Sequence, residues 1–172
     1  MKNTALEARI ADEILALVQS RKTLYLASTN TDGTPYASYA PFAVGDDCLY
    51  VLLSEIAVHG GNLQANAQAS VLIVEDEDSA NEIFARLRVN YRVRAEVLPF
   101  ESAAWQHGLA TLQLRQGKLI NHLSTMTDFK LFKLTPEAGR YVKGFGQAYA
   151  FSGESLIGTS IDHMRDGHQQ RA

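Results

Sequence analysis

A chain of 172 residues, 46% apolar and 20% charged, is sized for one domain with a proper core, and a net charge of −3 argues against general nucleic-acid binding. Its apolar runs are a handful of residues long, far short of a membrane span, and the charged, helix-patterned start MKNTALEARIADEIL is unlike a secretory signal. A single cysteine, Cys48, excludes an internal disulfide and a cysteine-based zinc cluster, which makes the cytoplasm the expected compartment.

Residues 5–19 read as an amphipathic helix, with Leu6, Ile10, Ile14, Leu17 and Val18 recurring on one face. Strands at 23–28, 35–44 and 48–54 follow, separated by Asn30-Thr31-Asp32-Gly33 and Gly45-Asp46-Asp47, which is the order of an antiparallel meander. Pro41 predicts a bulge or an edge position. Residues 56–66 are more helical than extended. The apolar run 69–75 predicts a strand buried on both faces, and an acidic loop at 75–78 follows it. From Arg86 to Val97 the alternation is strict: Leu87, Val89, Tyr91, Val93, Ala95 and Val97 on one face, and four arginines with Asn90 and Glu96 on the other. Helices at 101–116 and 118–125 precede a strand at 129–134, a Thr135-Pro136-Glu137 break, and a second run at 140–151. Six or seven strands with helices between them predict a mainly β, small antiparallel barrel as a single domain over 1–172, with an open α+β sheet as the alternative.

Several groups of residues suit chemistry. Arg86, Arg88, Arg92 and Arg94 on one strand face repel one another unless anions sit nearby, and guanidinium binds carboxylate or phosphate through paired donors. A phosphate, a carboxylate-bearing cofactor or the acidic loop 75–78 would serve; a solvated face is the plain alternative. In SEIAVHGGNL, His59 stands beside Gly60-Gly61, where a ligand could approach the backbone closely. Gly144-Phe145-Gly146 predicts a bulge or a flat group lying against the strand. The tail carries His163 and His168. Terminal histidines are usually solvated, and the sharper reading makes one of them a cofactor ligand whose second ring nitrogen donates to a carboxylate such as Asp128.

Taken together, RKTLYLAS, YASYAPF, SEIAVHGGNL, IFARLR, TDFKLFKL, RYVKGFGQAY and the closing DGH resemble the HutZ/HugZ haem-utilisation family, relatives of pyridoxamine-phosphate oxidase. The resemblance covers nearly the whole chain. It implies a split β-barrel of the FMN-binding type, a homodimer, and haem held between protomers. It also implies oxidative opening of the porphyrin to a biliverdin-like product with release of iron, served by an electron donor and a haem supplier, with no nucleic acid and no membrane. By position, the resemblance makes His168 the ligand of the haem iron in a short C-terminal tail and Asp128 the acceptor of its N–H. It places His59 and Arg88, with Arg86 beside them, in the polar surroundings of the haem. The parent flavin enzymes commonly carry a basic residue where His59 stands, which leaves FMN as the alternative cofactor and haem carriage without turnover as the alternative role.

Overall fold

The computed structural model describes residues 4–164 and Arg171. Helix α1 (Thr4–Ser20) buries Ile10, Ile14, Leu17 and Val18, the stripe its spacing predicts. Strands β1 (Thr23–Thr29), β2 (Pro35–Val44) and β3 (Leu49–Ser54) form the meander. Helix α2 (Val58–Ala65) carries the chain across to β4 (Gln68–Val74), which pairs with the free side of β1. Strand β5 (Arg88–Val97) pairs with β4, and the long β6 (Phe129–Gly144) pairs with β5. Helices α3 (Ala103–Gln116) and α4 (Leu119–Ser124) lie between them. The first half of β6 also pairs with β3, from Ser54↔Phe129 to Leu49↔Leu134, and this closes a six-stranded antiparallel barrel. Strands β7 (Gln147–Ser152) and β8 (Ser160–Met164) extend the sheet from the second half of β6.

The barrel interior is filled by Leu24, Leu26, Phe42, Val51, Val71, Val89, Tyr91 and Phe132, all essentially inaccessible. A smaller cluster around Tyr50, Leu112 and Leu131 seals the wall beneath α3. Tyr91 donates its hydroxyl to the Leu156 carbonyl at 2.7 Å, which satisfies the one polar atom that its ring brings into the core. No helix among the described residues is long and apolar enough to cross a membrane.

Pro41 and Pro136 each sit where a strand changes neighbours. Pro41 is the last partner of β1, and Phe42 is the first partner of β3. Pro136 does not break the strand as the sequence suggested. It lies between the stretch of β6 paired with β3, ending at Leu134, and the stretch paired with β7, beginning at Ala138. The ladder to β5 skips Glu137 there, so the missing N–H falls at a bulge. Strand β4 is also not buried on both faces: Ala69, Val71 and Ile73 are buried, and their neighbours are half-exposed or exposed. Gly144-Phe145-Gly146 is a tight β6–β7 hairpin, in which Gly146 takes φ +67°. The polar segment after 151 contains an eighth strand, β8, which the sequence pattern did not reveal.

Candidate functional site

Two polar regions emerge, at opposite ends of β6. The first is the corner where β3 ends. Ser54 Oγ donates to Asp128 Oδ2 at 2.5 Å and accepts from the Ile56 amide at 3.1 Å. The Glu55 amide donates to the Asp128 carbonyl at 2.8 Å. Half-buried Asp128 is therefore held by backbone and side chain, in the turn that leads into β6. Gly60 belongs to the same corner. A Cβ at Gly60 would overlap the Ser54 carbonyl, with the carbonyl carbon 2.8 Å away, so this glycine admits its own backbone rather than a ligand. Gly61 has room, since its Cβ would lie 3.6 Å from the Glu55 carbonyl oxygen.

His59 reaches from α2 to β2, its Nδ1 3.0 Å from Ser38 Oγ. Burial lowers its pKa from the ordinary histidine value, so the imidazole is neutral at pH 7. Ser38 Oγ lies 3.4 Å from the Leu26 carbonyl, to which it donates. That leaves it to accept from Nδ1–H and leaves His59 Nε2 as an acceptor. Buried Asn62, one turn on, donates to Ser28 Oγ and Asn30 Oδ1 at 3.1 and 2.9 Å, which fixes α2 on β1.

The second region lies on the outer face of β5–β8. Arg86 is not on the strand but just before it. It donates to the Glu75 carbonyl and lies 3.6 Å from Glu77, so it is committed to the acidic loop. Arg92 pairs with Glu137 at 3.4 Å and Arg94 with Glu154 at 3.3 Å. Arg88 differs: its Nη1 donates to the Arg86 carbonyl at 3.0 Å. It lines a cleft of about 340 Å3 with Arg140, Val142, Ala148, Met164 and Phe84. A neighbouring hollow of about 490 Å3 joins Arg88 to exposed Tyr25, Ile83 and Phe84.

Register places one of the two tail histidines. His163 lies opposite Tyr149, which lies opposite Tyr141; this row faces α1, where Tyr141 and Lys143 bond Glu13. His163 stacks on Tyr149 with ring centroids 4.8 Å apart, and its Nε2 is 3.1 Å from the Gly146 carbonyl. Its neighbour Met164 lies on the opposite face, in the cleft row Arg88–Val142–Ala148–Met164. His163 therefore does not face the cleft. His168 lies outside the described residues.

Within one chain the fold joins Asp128 to Ser54 and sets His59 on the helix that abuts Ser54. Arg88 stands at the far end, opposite Val142, thirteen residues along β6 from Phe129. Sequence reasoning missed Ser54, Ser38 and Arg140. Arg140 had no signal of its own, because only the pairing of β5 with β6 places it beside Arg88.

Residues 10–143 match the pyridoxamine 5'-phosphate oxidase family. The haem oxygenase HutZ of Vibrio cholerae is 41% identical over 170 residues, spanning 99% of this chain and 96% of HutZ. A crystal structure of Vibrio cholerae HutZ, described as a haem storage protein, superposes with a TM-score of 0.74 at 38% identity, over 77% of this chain and 94% of that one. Campylobacter jejuni ChuZ superposes with a TM-score of 0.83 at 28% identity, over 95% of this chain and 67% of that one. With the closed barrel and its pairing order, these matches establish that the chain belongs to the pyridoxamine 5'-phosphate oxidase family of split barrels, among its HutZ-type haem-utilisation members.

Proposed function

We propose that this protein binds haem at a site shared by two copies of the chain and opens the porphyrin oxidatively to a biliverdin-like product, releasing iron. The observation that carries the reading is the cleft beside Arg88. It joins guanidinium groups to an apolar wall and ends at Met164, four residues before His168. Such a mixture suits a flat apolar ring with carboxylates at its edge. The names of the relatives point the same way: one is called a haem oxygenase and a haem storage protein.

In this reading His168 ligates the iron. Four residues span at most about 14 Å from Met164, and Asp128 stands at the other end of β6, so the carboxylate that accepts the second N–H of His168 comes from the other copy. Ser54 already donates to Asp128 Oδ2, which leaves Oδ1 as the acceptor. A negative acceptor raises the basicity of the imidazole. The outward aromatic pair Tyr25 and Tyr39, 57% and 63% exposed and directly opposed on β1 and β2, adjoins the hollow next to Arg88 and forms the homodimer face. Neutral His59 and engaged Arg86 are poor phosphate partners, which weighs against FMN. Haem is the substrate, O2 or peroxide the oxidant, and a separate donor supplies electrons in the cytoplasm.

The test is spectroscopic. Hemin gives the wild-type protein a saturable Soret band, and ascorbate in air removes it with formation of a biliverdin-like pigment and free iron. A stable Soret band under those conditions makes the protein a haem store. His168→Ala abolishes the native ferric spectrum and His163→Ala does not. Asp128→Asn keeps haem but slows degradation roughly 10–100-fold. An unchanged spectrum and rate in His168→Ala refutes the ligand assignment.

A further inference from the structure

We propose that a cavity beneath the start of α3 is a second ligand site, and that it takes a small apolar molecule carrying one carboxylate. It shares no lining residue with the arginine cleft and stands apart from the haem reading. Thr127 and Phe129 line it, while Asp128 between them turns its carboxylate to Ser54.

The cavity holds about 410 Å3, a volume suited to a small molecule. It opens where β5 ends, among the first turn of α3, the end of α4 and the first residues of β6. Leu98 and Leu131, 4% and 0% exposed, form its floor, and Trp105 and Phe129 stand above them. Phe100 stands at the mouth, 66% exposed, edge-to-face with Trp105 at a centroid distance of 4.8 Å. A phenyl ring left in water forgoes the gain of burial. The backbone holds it there. Glu101 takes φ +61°, which residues other than glycine adopt uncommonly, and the Ser102 amide donates to the Pro99 carbonyl at 3.0 Å. Ser102 then caps α3 by accepting from the Trp105 amide at 3.2 Å. The turn therefore fixes both rings of the aromatic pair over an apolar floor.

The polar groups of the lining select the ligand. Ser124 and Thr125 donate their hydroxyl protons to the Asn121 and His122 carbonyls, at 2.9 and 2.7 Å. Lys130 donates one N–H to the Thr127 carbonyl at 2.9 Å and stands 3.9 Å from Glu55 Oε2, beyond hydrogen-bond reach. Two of its three protons therefore remain available. Glu55 is drawn the other way, accepting from Gln64 Nε2 at 3.3 Å. Among the described residues the Trp105 indole N–H meets no acceptor. An ammonium and an indole are both donors only. Beside an apolar cavity they fit a single carboxylate on an apolar body, bound by a charge-assisted hydrogen bond. A cationic ligand would meet the like charge of Lys130.

Trp105 is the chain's single tryptophan, so its emission reports occupancy directly. The test titrates 4-phenylbutyrate and 4-phenyl-1-butanol into the full chain by calorimetry, with tryptophan emission followed in parallel. The acid binds saturably, shifts the Trp105 emission, and binds about tenfold or more tightly than the alcohol. Lys130→Met, or Lys130→Gln should the first variant unfold, removes that preference and leaves the alcohol unchanged. Phe100→Ala weakens both ligands. No saturable heat, heat without a change in Trp105 emission, or an acid affinity unmoved by substitution of Lys130 overturns the site. Saturating hemin leaves the heat of the acid unchanged; displacement by hemin makes the cavity part of the haem site and overturns the proposal as well. Sedimentation tests the remaining occupant. A Phe100→Ala chain that falls to monomer where the wild type is a dimer, with the acid bound by neither, gives the cavity to a second copy and refutes the ligand site.

Discussion

The adjacent glycines of α2 should respond to alanine with opposite signs. At both positions alanine gains about 0.8–1.0 kcal/mol of helix propensity over glycine. At Gly61 nothing opposes that gain, because the new methyl lies at ordinary contact distance from the Glu55 carbonyl oxygen, 3.6 Å. At Gly60 it overlaps the Ser54 carbonyl and comes 3.2 Å from Glu55 Cα, and both obstacles are backbone that no rotamer change moves aside. Overpacking of this kind costs about 1–3 kcal/mol, at or above the propensity gain. Gly61→Ala should therefore gain up to about 1 kcal/mol, and Gly60→Ala should lose up to about 2 kcal/mol. Urea unfolding at one fixed protomer concentration reads both, as midpoint shifts at unchanged m. The Gly60 variant should also disturb Asp128, since the displaced Ser54 carries the hydroxyl that holds it. A Gly60→Ala protein as stable as Gly61→Ala would refute the close approach of α2 to β3.

Two further expectations concern the core and pH. Tyr91→Phe leaves the buried Leu156 carbonyl without its donor and should cost about 1–2 kcal/mol in the same unfolding experiment; no change would mean that the hydroxyl contributes nothing. His59 has a folded pKa below its unfolded value near 6.5, so the unfolded chain takes up the proton first as pH falls. Stability should drop below about pH 6.5 and level off once the folded pKa is passed, and His59→Gln should flatten the difference in urea midpoint between pH 7.5 and 5.5. Identical pH profiles would remove His59 as the source.

The parts of the fold legible in the sequence were those whose burial is one-sided. Strand β5 alternates because one face fills the barrel and the other carries arginines, and α1 shows its stripe because one face lies on the sheet. Pro136 misled because its fit depends on a bulge opposite β5 and a change of neighbour, neither of which is local. Strand β8, SIDHM, shows no alternation because little of it is buried: Ile161 and Met164 are half-buried, while Asp162 and His163 are exposed, His163 lying against the Tyr149 ring. At the site, Asp128 stood out as a carboxylate for a tail histidine and through family resemblance, but its partner Ser54 lies 74 residues away. The arginine stripe was legible as a need for anions, but the structure divides it: the acidic loop satisfies Arg86, and Arg140 replaces it beside Arg88.

Barrel closure also fixes the order in which this chain can fold. The β3–β6 ladder joins Leu49 to Leu134 and Ser54 to Phe129, partners separated by 85 and 75 residues. Long-range pairing of this kind comes late and slowly, because the intervening loop must be ordered first. A nascent chain that has not yet reached β6 therefore carries β3 with an open hydrogen-bonding edge, and Leu49 to Leu53, all buried in the finished barrel, flank that edge. The interval between synthesis of residues 54 and 134 is when this protein is most exposed to edge-to-edge association. Variants that weaken β6 should show themselves as aggregation during expression before they show as a lower melting temperature.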